Sequence, residues 1–127
     1  MSRSIVSIEG FSDASLSGMY FSTHTELCGM PVYHKADGSE TWIVFDARSL
    51  TWRVLRGAKS ELVAYVRCLK DTPLENCTRQ EWRLRRGDEF ILFPALRLRP
   101  VDSDSQYFAY GQLVRIQGLI QVGFVLE

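Results

Sequence analysis

The stretch VYHKADGSETWIVFDARSLTWRV, residues 32–54, decides the fold. Val32 to Lys35 and Glu40 to Phe45 are β-branched and aromatic runs separated by Ala36-Asp37-Gly38-Ser39. An Asp-Gly step between such runs is a favoured hairpin turn, because glycine accepts the positive φ that matches strand twist. Residues 31–45 are therefore expected to form a hairpin. A second turn signal, Asp46-Ala47-Arg48-Ser49, leads into Leu50 to Leu55, which makes a three-stranded meander. Trp42 and Val44 fall on one face of the middle strand, and Ile43 and Phe45 on the other. A strand apolar on both faces belongs at the centre of a sheet, which places Trp42 and Trp52 in the expected core.

Working outward, Ile5 to Ile8 reads as a strand, and the Ser-rich link that follows reads as a loop up to Gly18 and a short strand at Met19 to Phe21. The polar run STHTE, with His24, also reads as loop. Residues 62–69 satisfy a helical i, i+3, i+4, i+7 template through Leu62, Tyr65, Val66 and Leu69, yet their residue types favour a strand, which is the preferred reading. TPLENCTRQ reads as a polar excursion. Arg86-Gly87-Asp88 turns the chain into Glu89 to Phe93, Pro94 marks an edge or break, and Leu96 to Arg99 alternates before Pro100. In the tail Val114, Ile116, Ile120, Val122, Phe124 and Leu126 share one parity, as expected of an additional C-terminal strand or hairpin over 101–127. On its opposite side Leu113, Leu119 and Val125 are candidate partner contacts. The sum is an all-β chain: a small single-domain antiparallel barrel or sandwich built from meanders, spanning 1–127.

Composition bounds the function. The chain has 127 residues, 46% hydrophobic and 24% charged, enough for one core. Fifteen basic residues balance fifteen acidic ones, so long-range attraction to nucleic acid or an anionic membrane has no overall support. A local basic excess runs from Arg79 to Arg99, and within it Trp82, Arg83, Arg85 and Arg86 are the candidate anion or ligand contacts. The odd set Cys28, Cys68 and Cys77 has no CxxC spacing, so an intracellular protein without a disulfide framework is expected, with Cys28 and Cys68 as small core residues. The apolar stretch LIQVGFVL is far shorter than the roughly 20 residues a spanning helix needs, so no membrane span is expected.

Motifs for chemistry are missing. The two histidines, His24 and His34, sit in no triad or metal-ligand pattern, and GxSxG, GxGxxG and GxxxxGK[ST] are all absent from the sequence. His24 and Cys28 are one suggestive pair, short of the roughly four ligands of a zinc site. No cofactor, no metal and no catalytic residue is expected.

The order Leu16-Ser17-Gly18-x-Tyr20, Gly29-x-Pro31-Val32-Tyr33-His34-Lys35, Trp52-x-Val54, Ala64-Tyr65-Val66 and Trp82 resembles a protist β-domain pattern of the form GxY…GxPVY…WxI/V…W. The resemblance covers roughly residues 10–99 and departs after Pro100. It implies a β module and brings no catalytic residues. The expected function is therefore a non-enzymatic protein-interaction module, a small accessory or structural subunit of a larger intracellular assembly with protein partners. The alternative is a ligand-binding β-barrel for a sugar, lipid or nucleic acid, which would need Trp82 and its neighbouring arginines to line one open groove.

Overall fold

The structure, a computed structural model, describes residues 4–69, 72–78 and 81–101. The tail expectation, with Leu113, Leu119 and Val125, lies outside the described residues. The strands are β1 (Ile5–Glu9), β2 (Gly18–Leu27), β3 (Met30–Lys35), β4 (Thr41–Asp46), β5 (Thr51–Arg56), β6 (Glu61–Arg67), β7 (Trp82–Arg86), β8 (Glu89–Leu92) and β9 (Arg97–Pro100). Two short 3-10 turns, η1 (Ala14–Leu16) and η2 (Leu74–Asn76), interrupt them. All nine strands form one antiparallel sheet in the order β8-β7-β6-β5-β4-β3-β2-β1-β9.

Local chemistry makes the meander. Gly38 has φ 82° in the Asp-Gly turn, whose Asp37 carboxylate accepts from the Ser39 amide at 2.9 Å. Asp46 does the same at the next turn, accepting from the Ser49 amide at 3.1 Å. Cys28 and Gly29, at φ 56° and 79°, form the tight turn between β2 and β3, so Cys28 is exposed at a hairpin tip and does not belong to the core. The strand reading of 62–69 holds for Glu61–Arg67. STHTE is not a loop: it continues β2, which places His24 on an exposed stretch of strand. The two-residue turn pairs Leu27 with Met30 and Glu26 with Pro31, so the β2–β3 ladder resumes beyond that polar run after a register shift between Ser22 and Glu26, and strand pairing on both sides of it overrides composition.

The sheet is a curled half-barrel, and its connectivity explains the curl. β8 and β9 sit at opposite ends of the strand order, yet only residues 93–96 join them. Flat, nine strands would hold those edges about 38 Å apart at the usual spacing, whereas a link of that length reaches roughly 18 Å. Alternating antiparallel pairs give β8 and β9 the same direction, and parallel neighbours need a long crossover. They are therefore two halves of one kinked strand, the first paired to β7 and the second to β1. Gly10, at φ 102°, lets the chain after β1 pass the kink: a Cβ there would meet the Ala95 carbonyl oxygen at 2.4 Å.

The inner face is the core. One cross-strand row runs Tyr33–Ile43–Val54–Ala64–Leu84–Ile91, and a second runs Phe45–Trp52–Val66–Trp82. Trp52 and Trp82 are fully buried, and the Trp52 indole N–H donates to the Thr72 carbonyl at 2.9 Å. Trp42 departs from the expected core position. β4 is the central strand, but its second apolar face looks outward, so Trp42 is half-buried. TPLENCTRQ also departs from a simple polar excursion, since Leu74 and Cys77 within it are fully buried and belong to the same core cluster.

Candidate interaction surface

The outer face carries two rows. Phe21, His34, Trp42, Leu55 and Leu62 lie side by side across β2 to β6, all half-buried. His34 stacks on Trp42 with ring centroids 3.8 Å apart, and its Nε2 lies 2.8 Å from the Ser39 carbonyl oxygen, so that nitrogen carries the proton and donates. The neighbouring row runs Val44–Arg53–Tyr65–Arg83–Leu92. Tyr65 also packs against Phe90, with centroids 5.3 Å apart.

Beside Tyr65 and Arg83 of this second row lies a groove of about 840 Å³ lined by Ser49, Leu50, Tyr65, Arg67, Cys68, Leu69, Glu81 and Arg83. Leu69 is 78% exposed beside it. Arg53 is bound to Asp46 at 3.6 Å and Arg85 pairs with Glu61, whereas Arg67 and Arg83 have no ion-pair partner among the described residues. The groove thus combines Leu50, Tyr65 and Leu69 with the Arg67 and Arg83 guanidinium groups and the Glu81 carboxylate.

Trp82 and the arginines do not form one site. Alternation turns Trp82 and Leu84 inward and Arg83 and Arg85 outward, while Arg86 is exposed at the end of β7. The expected aromatic-and-arginine groove is divided by the sheet itself. Trp82 is nonetheless unusual in one respect, because its buried indole N–H has no hydrogen-bond partner among the described residues. At the sheet's middle Tyr33, Ile43, Trp52 and Val54 fill the inner face as part of one buried cluster. A smaller cavity of about 270 Å³ lies at the end of the half-barrel, with Phe11, Leu16, Val63 and Leu84 under a rim formed by the Asp13–Arg56 and Glu61–Arg85 pairs.

No group of three or more His, Cys, Asp or Glu side chains among the described residues could hold a metal ion. No helix among them is long and apolar enough to cross a membrane. No protein-family model, curated protein or solved structure matches the chain.

The two ends of the sheet differ in a way that bears on partners. β9 is Arg97-Leu98-Arg99-Pro100, whose charges and proline discourage strand addition. β8 is Glu89-Phe90-Ile91-Leu92, without Lys, Arg or Pro, and Leu92 is 40% exposed. The Phe93 amide donates to the Trp82 carbonyl at 2.9 Å. Antiparallel alternation then turns the Ile91 amide toward β7, and those of Phe90 and Leu92 toward the open side. The sequence contained this contrast in plain view as EFIL against RLRP. What it lacked was the strand order that makes both segments edges.

Proposed function

We propose that this chain is a non-enzymatic protein-interaction module, a small accessory or structural subunit of a larger intracellular assembly. It takes an extended segment of a partner protein along β8. The observation that supports this reading is the undefended β8 edge. It offers two main-chain amides in line with the apolar side chains of Phe90 and Leu92, and strand addition uses those two features together. An added strand would continue the outer row Tyr65–Arg83–Leu92. Its outward side chains would then meet Leu92 and Phe90, with Arg83 one strand further in.

The test compares proteins that co-purify from the native cell with the wild-type chain and with Leu92→Pro. Proline at this position removes an outward amide and leaves the β7 ladder intact. A stoichiometric partner present with the wild type and lost with Leu92→Pro is the expected result. The same partner retained at the same stoichiometry by a folded Leu92→Pro chain would overturn it, as would the absence of any stoichiometric partner.

A further inference from the structure

We infer that β8 pairs with β8 of a second copy of this chain about a two-fold axis at Ile91, and that this dimer holds the edge until a partner's segment displaces it. The inference rests on the reading of β8 as a docking edge and adds what occupies that edge beforehand. β8 ends the strand order and pairs only with β7. Ile91 lies opposite Leu84 and the Phe93 amide bonds to the Trp82 carbonyl, so the main-chain groups of Phe90 and Leu92 face the open side. Paired residues in an antiparallel ladder exchange both their bonds. A second β8 can therefore bond this edge only where an open residue of one copy falls opposite an open residue of the other.

Three registers meet that condition, with the axis at Phe90, Ile91 or Leu92. Centred on Phe90, Leu92 falls opposite Asp88, which belongs to the turn before β8. Centred on Leu92, Phe90 falls opposite Pro94, which has no amide and whose carbonyl already accepts from the Arg97 guanidinium. Centred on Ile91, Phe90 of each copy falls opposite Leu92 of the other. All the open amides of both copies then find carbonyls within β8 itself, so one register satisfies the edge completely.

The side chains agree with that register. Phe90 and Leu92 share the outer face, where Phe90 packs on Tyr65 at 5.3 Å and Leu92 is 40% exposed. Across the axis each Phe90 would meet the second copy's Leu92, and the two half-buried Ile91 side chains would face each other on the inner side. Glu89 falls opposite the second copy's Phe93 and not opposite its own image. Arg83 would stand three strand spacings from the second copy's Arg85, roughly 14 Å and beyond the Debye length at physiological salt. A contact this small belongs to the class that forms and separates readily. Because a partner needs the same amides, the edge becomes available only as the dimer dissociates.

The test uses the full chain under reducing conditions, with its mass measured by sedimentation equilibrium from low micromolar to millimolar concentration. The expected weight-average mass rises from one chain toward two, and Leu92→Pro, folded by circular dichroism, stays at one. Ile91→Cys combined with Cys28→Ser checks the register, and it decides the matter should Leu92→Pro fail to fold. The two Cα atoms at position 91 would lie about 4.5 Å apart in a non-hydrogen-bonded pair, close enough for a disulfide. Oxidation should link most chains there, whereas Glu89→Cys in the same background would place its two copies about 14 Å apart and should not link. A wild type that stays monomeric throughout, a dimer unaffected by Leu92→Pro, or equal linking at positions 89 and 91 would overturn the inference. So would a monomer whose Phe90 and Leu92 amides resist hydrogen exchange, because the chain would then cover its own edge. A monomer that still captures a cellular partner through β8 sinks this inference and leaves strand addition standing, whereas a dimer without any cellular partner does the reverse.

Discussion

His34 and Trp42 lie ring on ring, with planes 9° from parallel, on the outer face of the central hairpin. This pair is cross-strand, since His34 lies opposite Trp42 in the β3–β4 register. A half-covered stack differs in kind from the buried Trp52 beneath the same sheet, whose ring meets Phe45 at 5.3 Å and Tyr33 at 6.0 Å. Trp52→Ala should therefore cost about 3–5 kcal/mol. Trp42→Ala should cost less, because it forfeits a stacking contribution of about 0.5–1.5 kcal/mol and the burial of only part of the ring. Urea denaturation followed by circular dichroism measures both. Equal losses would mean that the outer face is covered as fully as the inner one.

The proposed strand addition at β8 has a counterpart test at β9. A chain with Leu92→Pro should keep its melting temperature within a few degrees while losing its partner, because the lost amide serves no bond inside the sheet. Arg99→Leu removes one of the charges that guard the other edge. It should raise self-association, measured by light scattering against protein concentration, whereas Arg99→Lys should not.

Asp13 gives the pH dependence its sign. Its carboxylate accepts from the Ser15 hydroxyl at 2.6 Å, from Arg56 at 2.6 Å and from the Ser15 amide at 3.0 Å. These bonds hold its pKa down to about 2. A depressed carboxyl contributes stability above its unfolded pKa and loses it as the pH falls through the folded value. The stability difference between the wild type and Asp13→Asn should thus be constant above about pH 5 and shrink from about pH 4 to about pH 2. A difference that stayed constant down to pH 2 would mean that this carboxylate is unbonded in solution.

Gly10→Ala should be among the most damaging single changes on the surface. The new methyl carbon meets the backbone oxygen of Ala95 at 2.4 Å, and φ is 102°. Neither obstacle yields by side-chain rotation, so a loss of at least ~2 kcal/mol is expected. Thermal denaturation checks it, with Gly57→Ala as the control: that site has a similar φ of 86° and open space around it.

The turns were legible because their chemistry is local: Asp-Gly at 37–38, Asp46 before Ser49 and Gly87 each announce a reversal within a few residues. So was the alternation of Trp52 and Val54 against Arg53. Three features were not legible, and each depends on contacts remote in sequence. His24 is on a strand because Cys28 and Gly29 turn tightly enough to prolong the ladder, and no property of STHTE itself signals that. Trp42 is half-buried because the half-barrel is a single layer, and period-two patterning cannot say whether a second layer covers the outer face. Leu74 and Cys77 are buried because η2 folds back onto the core, whereas the polar run around them gives no sign of it.

The kinked strand also sets an order of assembly. Every ladder from β1 to β8 joins neighbours in the chain, so those hairpins can form after short loop closures. The β1–β9 ladder alone, which pairs Val6 with Pro100, brings together distant parts of the described chain. Its closure entropy falls due in one step, after the meander exists. A chain caught before that step is an open ribbon whose β1 edge is Ile5-Val6-Ser7-Ile8-Glu9, without proline and with a single charge at its end. Escape from aggregation during refolding then depends on how fast β9 docks, and Arg97, Arg99 and Pro100 shield the sheet only once it has.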